Sequence, residues 1–155
     1  MADAPVAGDR APAFNLADQK DDKVRLSSFK GRKVLVYFYP KADTPGCTTQ
    51  SCGLRDVAGD IGDTVIIGIS PDLPPKLAKF DEKYGLGFTL LSDPDHATSE
   101  AFGVWGEKSM YGKKYMGVER STFLVGSDGK IKKIWPKVKA AGHAAEVLAA
   151  LQELG

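Results

Sequence analysis

Val34-Leu-Val-Tyr-Phe-Tyr39, followed by Pro40-Lys-Ala-Asp-Thr44-Pro45-Gly46-Cys47-Thr-Thr-Gln50-Ser-Cys52, is the stretch on which the reading of the fold turns. Its first six residues form an unbroken apolar, β-favouring run. That is the pattern of a strand covered on both faces, as in a largely parallel sheet flanked by helices. Pro40 ends the run, and a polar turn from Lys41 to Gly46 leads into a helix expected over about Cys47 to Val57. Thr44 is a good N-cap and Pro45 suits the first helical position. A buried strand that feeds a turn and then a helix predicts an α/β layered domain.

The flanking sequence repeats the alternation. Thr64–Ser70 (TVIIGIS) reads as a second buried strand, closed by Pro71. Lys76–Tyr84 places Leu77, Phe80 and Tyr84 at helical spacing. Phe88–Leu91 reads as a short strand and Ala97–Phe102 as a short helix. Ser121–Val125 and Lys130–Trp135 flank Ser127-Asp128-Gly129, a strong hairpin signal. His143–Leu154 puts Val147, Leu148 and Leu151 on one helical face, with a weakly capped start at Gly142-His143. Upstream of Lys33, the alternation in Val24-Arg25-Leu26 predicts a small N-terminal β extension. The expectation is one domain over residues 1–155, with a central mixed sheet, a parallel core, an antiparallel edge and flanking helices. A thioredoxin-like fold fits this order, although the pattern alone does not single it out.

Lys and Arg number 21 against 20 Asp and Glu, a formal net charge of +1. That balance gives no electrostatic reason to expect nucleic acid or an anionic membrane as partner. The apolar run Val34–Tyr39 is far short of the roughly 20 residues that span a bilayer. The N-terminal residues lack a basic stretch followed by an apolar core, so no secretory signal is read and the cytoplasm is expected. In such a reducing compartment the pair Cys47 and Cys52 reads as catalytic or incidental rather than as a structural staple.

With Pro45 first in the helix, Gly46 is second and Cys47 third. Free backbone N–H groups and the positive end of the helix dipole then surround the sulfur and favour the thiolate, the reactive form. The alternative is a small packing residue at a helix start, since most free cysteines are buried and inert. Cys52 lies five residues on. An intact helix separates the two Cα atoms by roughly 8.5 Å, whereas a disulfide needs about 4.4–6.8 Å. Either the sulfurs never bond or the first turns unwind, and a second packing cysteine is an equally open reading. No metal site is expected: C-x4-C offers two ligands where zinc wants at least three. His96 and His143 lie far along the chain and read as surface or capping residues. The C-x-x-C of thiol–disulfide oxidoreductases is absent. Lys130, Lys132, Lys133, Lys137 and Lys139, with Trp135 interleaved, read as an edge strand blunted by lysines rather than as a nucleic-acid surface.

Pro40-x3-Thr44-x2-Cys47 resembles the Pro-x-x-x-Thr/Ser-x-x-Cys motif of peroxiredoxins. Further blocks are similar to the bacterioferritin comigratory protein, or Q-type, subfamily. They are Leu26–Lys33, Val34–Pro40, Gly46-Cys47-Thr48, Cys52, Leu90–Asp93, Phe102–Lys108 and Arg120–Val125, and the resemblance spans roughly residues 5–150. It implies a thioredoxin-like fold and a peroxidase that needs no metal, haem or flavin and reduces hydrogen peroxide and organic hydroperoxides. By position, Cys47 resembles the peroxidatic cysteine and Pro40 the residue that shields it. Thr44 resembles the hydroxyl that orients the peroxide, and Arg120 the guanidinium that holds thiolate and peroxide oxygen. The backbone N–H groups near Gly46 and Cys47 are expected to help bind the substrate. Cys52 sits where many members carry the resolving cysteine. The resemblance thus implies a Cys47–Cys52 disulfide, recycled by thioredoxin or a similar dithiol, in a monomer. Gln50 departs from the frequent Glu, and Gly126 replaces an acidic residue before the last hairpin turn. Trp105, Met110, Tyr111 and Met116 flank a Gly-rich loop that either walls the peroxide entry or packs ordinarily. Two alternative readings are a redox sensor or chaperone-like binder that uses the same switch to signal, and a general disulfide reductase, which the missing C-x-x-C disfavours.

Overall fold

The computed structural model describes residues 4–154. Nine strands occur among them: β1 (Asn15–Asp18), β2 (Lys23–Arg25), β3 (Val34–Phe38), β4 (Val65–Ser70), β5 (Thr89–Ser92), β6 (Trp105–Met110), β7 (Lys113–Val118), β8 (Ser121–Val125) and β9 (Ile131–Trp135). The helices are α1 (Pro45–Val57), α2 (Pro74–Tyr84), α3 (Ala97–Ala101) and α4 (His143–Leu154). Seven strands form one sheet in the order β2-β1-β5-β4-β3-β8-β9. The trio β3, β4 and β5 is parallel, each step crossing over through a helix, α1 and then α2. On one side β8 and β9 add antiparallel, and on the other β1 pairs antiparallel with β5 and carries β2. The mixed sheet and the N-terminal extension thus follow the expectation.

The apolar run explains why the layers close. Successive side chains of a strand point to opposite faces. Leu35, Tyr37 and Tyr39 enter the core shared with Leu54 of α1, Leu77 and Phe80 of α2, and Val147 and Leu151 of α4. Val34, Val36 and Phe38 enter a second core with Phe102, Val104, Val118 and Phe123. Every residue from Val34 to Tyr39 is buried. Phe38, Phe102 and Phe123 interlock, with ring centroids 5.0–5.8 Å apart in tilted or edge-on pairs, as favoured by their quadrupoles. Gly68 of β4 is required here: a Cβ would meet the Tyr37 ring at 2.8 Å.

One expectation needs correction. The Gly-rich segment after α3 is not a loop but a separate two-stranded hairpin, β6 paired with β7 from Trp105↔Val118 to Met110↔Lys113. Its two-residue turn, Tyr111-Gly112, has both φ values positive (53° and 77°), as the twist of a hairpin demands. Its outer half is solvent-exposed on both faces, so the hydrophobic alternation by which strands are recognised is missing. Tyr111 is 98% exposed at the tip and walls nothing, while the Met110 side chain lies outside the described residues. The basic run starts one residue before the edge strand β9 and continues along and past it; Lys132 pairs with Asp128 at 3.0 Å and Lys133 lies 5.2 Å from the Trp135 ring centroid. A Cβ at Gly126 would meet only the flexible side chains of Lys132 and Asp128, so packing does not demand glycine there. No helix among the described residues is long and apolar enough to cross a membrane.

Candidate active site

Strand β3 delivers Tyr39 and Pro40 to its carboxyl end, beyond which the chain turns into α1. The turn is tied down by a partly buried carboxylate: Ala42 N–H donates to Asp72 Oδ2 at 2.7 Å, and Ser70 Oγ donates to the same oxygen at 2.8 Å. Thr44 is the N-cap residue, in extended backbone, and Pro45 is the first helical residue, as its fixed φ suits. The side chain of Thr44 does not make the expected cap bond. Its hydroxyl donates instead to the Lys41 carbonyl at 2.8 Å. The oxygen keeps its lone pairs free to accept, and the turn is closed from within.

The first intrahelical bond runs from Thr48 N–H to the Thr44 carbonyl at 2.8 Å. The N–H groups of Gly46 and Cys47 precede it and have no partner within the helix. Cys47 is fully buried, Cys52 is partly buried, and both are free thiols within one continuous helix. That regular helix matches the geometric expectation that the two sulfurs do not meet in this state.

Arg120 precedes β8, which pairs with β3 through Phe38↔Ser121. The pairing carries its guanidinium to Cys47, 73 residues away in the chain: Nη2 donates to Sγ at 3.2 Å. Nη1 donates to Gln50 Oε1 at 2.7 Å, so both arms of the fork are fixed. Gln50 is buried, and as an amide it holds the guanidinium without neutralising it. Its Nε2 has no hydrogen-bond partner among the described residues. Gly46 completes the fit, because a Cβ there would lie 3.0 Å from Arg120 Nη2. From the sequence alone Gln50 is only a departure from a frequent Glu, and Gly46 does not stand out as a spacer for Arg120. Glycine in the first turn of a helix, one residue before the cysteine, was the available signal.

Two tyrosines line the floor. Tyr37 Oη and Ser51 Oγ are 2.8 Å apart, linking β3 to α1. Burial pushes the Tyr37 phenol far above its ordinary range, with the Ser51 bond acting in the opposite sense. Burial does the same to Tyr39. Both stay neutral and offer no base to compete with the thiol. His143, expected to be a surface or capping residue, stands at the start of α4 but is buried. Its Nε2 lies 2.8 Å from Thr122 Oγ1, and its Nδ1 lies 3.6 Å from Glu146 Oε1. His96 precedes α3 and stacks flat on Trp105, centroids 3.9 Å apart. The described residues contain no cluster of three or more His, Cys, Asp or Glu able to hold a metal.

Residues 7–134 match the model of the AhpC/TSA family. The chain belongs to the AhpC/TSA family. Over 149 residues it is 52% identical to the peroxiredoxin Bcp of Escherichia coli K12, covering 95% of this chain and 96% of that one. It is 53% identical over 142 residues to a Mycobacterium tuberculosis peroxiredoxin, covering 90% of each. Among solved structures, the bacterioferritin comigratory protein of Xanthomonas campestris superposes with a TM-score of 0.86 at 40% identity, covering 91% of each chain. A PrxQ variant from Xylella fastidiosa superposes at 0.89 and 31% identity over 99% of each. The protein is therefore a thiol-dependent peroxidase of the Bcp/PrxQ kind with a thioredoxin-like fold, as the resemblance implied.

Proposed function

We propose that Cys47 is the peroxidatic nucleophile of a single-domain, monomeric, cytoplasmic peroxidase that reduces hydrogen peroxide and organic hydroperoxides. The observation that carries this reading is the Arg120 fork, one arm on the Cys47 sulfur and the other on Gln50. A charged donor aimed at sulfur serves the thiolate, and the same guanidinium face serves charge developing on the peroxide oxygens. The unpaired N–H groups of Gly46 and Cys47 and the free lone pairs of Thr44 Oγ1 complete a polar ring in which a peroxide can align for in-line attack. Pro40 and the burial of Cys47 restrict water around the sulfur. Thiolate attack on the nearer oxygen breaks the O–O bond. Water or an alcohol leaves, taking up one proton, and Cys47 becomes a sulfenic acid. Alkyl peroxide reduction activity is described for the Xanthomonas campestris protein, which supports organic hydroperoxides as substrates here.

In this reading Cys52 resolves the sulfenic acid. Its thiol attacks Cys47 Sγ, the S–O bond breaks, and water leaves as the Cys47–Cys52 disulfide forms. Thioredoxin or a similar dithiol then reduces that bond by exchange. The two cysteines lie on one intact helix, so its first turns have to unwind at this step. The test is a stoichiometric peroxide titration of reduced protein with mass analysis. The parent protein is expected to lose two hydrogens across Cys47 and Cys52. Cys47→Ser should be inert, and Cys52→Ser should consume one equivalent and stop. Loss of that first turnover in Cys52→Ser reverses the assignment. Catalytic peroxide consumption with thioredoxin separates this reading from a sensor or binding role.

A further inference from the structure

Tyr84, the last residue of α2, touches both ends of the segment that contains the two cysteines. Its hydroxyl donates to Asp43 Oδ1 at 2.8 Å, immediately before the Thr44 cap. Its backbone carbonyl accepts from Arg55 Nη1 at 2.6 Å, in the last turn of α1. Lys83 reinforces the first tie, with Nζ 3.0 and 3.2 Å from the two Asp43 oxygens. Cys47 and Cys52 lie between these two fixed points. The anchor itself is firm. The Tyr84 ring packs edge-on against buried Phe80 with centroids 5.5 Å apart, and Gly85 caps α2 in a left-handed conformation. Upstream, Ala42 is held by Asp72, so the first residue the clamp governs is Asp43.

We propose that Tyr84 is a positioning residue for the resolving half of the reaction, clamping Asp43 and Arg55 to hold α1 helical and thereby setting how fast Cys52 reaches the Cys47 sulfenic acid. The inference rests on the Cys47–Cys52 reading above and adds its rate control. Unwound chain rises roughly 3.3 Å per residue where helix rises 1.5 Å, so unwinding the five steps from Cys47 to Cys52 shifts the flanking residues by several ångströms. With both flanks bonded to α2, that displacement breaks at least one tie. The other ties on α1, Tyr37 to Ser51 and Arg120 to Gln50, involve the core or the guanidinium at Cys47. The Tyr84 clamp joins more exposed side chains: those of Asp43, Lys83 and Arg55 are 39%, 59% and 35% exposed. It is therefore the tie that can change without disturbing the site. The Tyr84 hydroxyl, and after it Lys83, hold the Asp43 carboxyl below the ordinary carboxylate range, so the clamp is charged and closed at neutral pH.

The test compares the parent protein with Tyr84→Phe and Asp43→Asn. Each reduced protein receives one equivalent of hydrogen peroxide. Sulfenic acid is trapped with a dimedone-type reagent, and disulfide is followed by mass. Tyr84→Phe removes one hydroxyl and keeps the ring. It is expected to form the Cys47–Cys52 disulfide about 3- to 10-fold faster, the scale of one partly exposed hydrogen bond to a charged group. Peroxide consumption in the first step should stay within about twofold of the parent. Amide exchange over residues 46–56 should accelerate in parallel, and excess peroxide should yield less sulfinic acid. Disulfide formation at the parent rate in both variants overturns the clamp while leaving Cys52 as resolver. Failure of the parent protein to form the disulfide overturns the assignment of Cys52, and the clamp with it.

Discussion

Gly46→Ala is the substitution that separates the stability of α1 from the chemistry at its start. Alanine in a helix interior is favoured over glycine by up to about 1 kcal/mol, and somewhat less in the first turn. Gly46 has an ordinary helical φ, and among the described residues outside its own helix the atoms near an added methyl are Arg120 Nη2 at 3.0 Å and Cζ at 3.7 Å. Ordinary packing asks for about 3.5–4.0 Å, so Nη2 has to retreat by roughly 0.5–1 Å. The fork cannot tilt freely, because Nη1 is held by Gln50 at 2.7 Å. The 3.2 Å bond from Nη2 to Cys47 Sγ is the one that lengthens, to the limit of hydrogen-bonding reach. A hydrogen bond to a charged group contributes about 1.5–3 kcal/mol. The first-step rate constant should therefore fall by about one to two orders of magnitude. The melting temperature should hold steady or rise. Stopped-flow measurement of the first turnover, alongside thermal unfolding of the same preparation, reads both quantities. A rate within twofold of the parent, with the helix equally stable, would refute the claim that contact between Arg120 and the sulfur drives the chemistry.

Gly68→Ala places a methyl 2.8 Å from the ring of fully buried Tyr37 and displaces its hydroxyl from Ser51, so we expect a loss of about 2–4 kcal/mol in denaturant unfolding. A midpoint unchanged from the parent would mean that β4 can shift to accommodate it. His143 gives a pH signature. Burial depresses the proton affinity of its ring in the folded state, so the unfolded chain protonates first as the pH falls. The stability it contributes is complete above its unfolded value of about 6.5 and is lost as the pH falls through the depressed folded value. Between about pH 7.5 and 5 the parent protein should lose more melting temperature than His143→Gln, and parallel curves would show that His143 takes no part.

Features that depend on neighbours along the chain were legible before any tertiary contact was known. The apolar run became strand β3, buried on both faces, with Tyr39 just beyond it. Thr44-Pro45 began α1 where a cap and a pre-set φ place a helix start, and Asp128-Gly129 turned the β8–β9 hairpin. The same local logic failed where solvent removes the pattern, so β6 and β7 went unrecognised. It also failed where a side chain has competing partners, as when Thr44 bonded back to Lys41 instead of capping. The sequence carried Arg120 as a site residue only through family resemblance, because no local rule joins residues 73 apart. Strand pairing in the sheet decided that meeting, along with the spacer role of Gly46, the burial of His143 against Thr122 and the grip of Tyr84 on both ends of α1. Such arrangements depend on which strand lies beside which, and that choice is made by burying whole faces of apolar surface rather than by any one residue's preference.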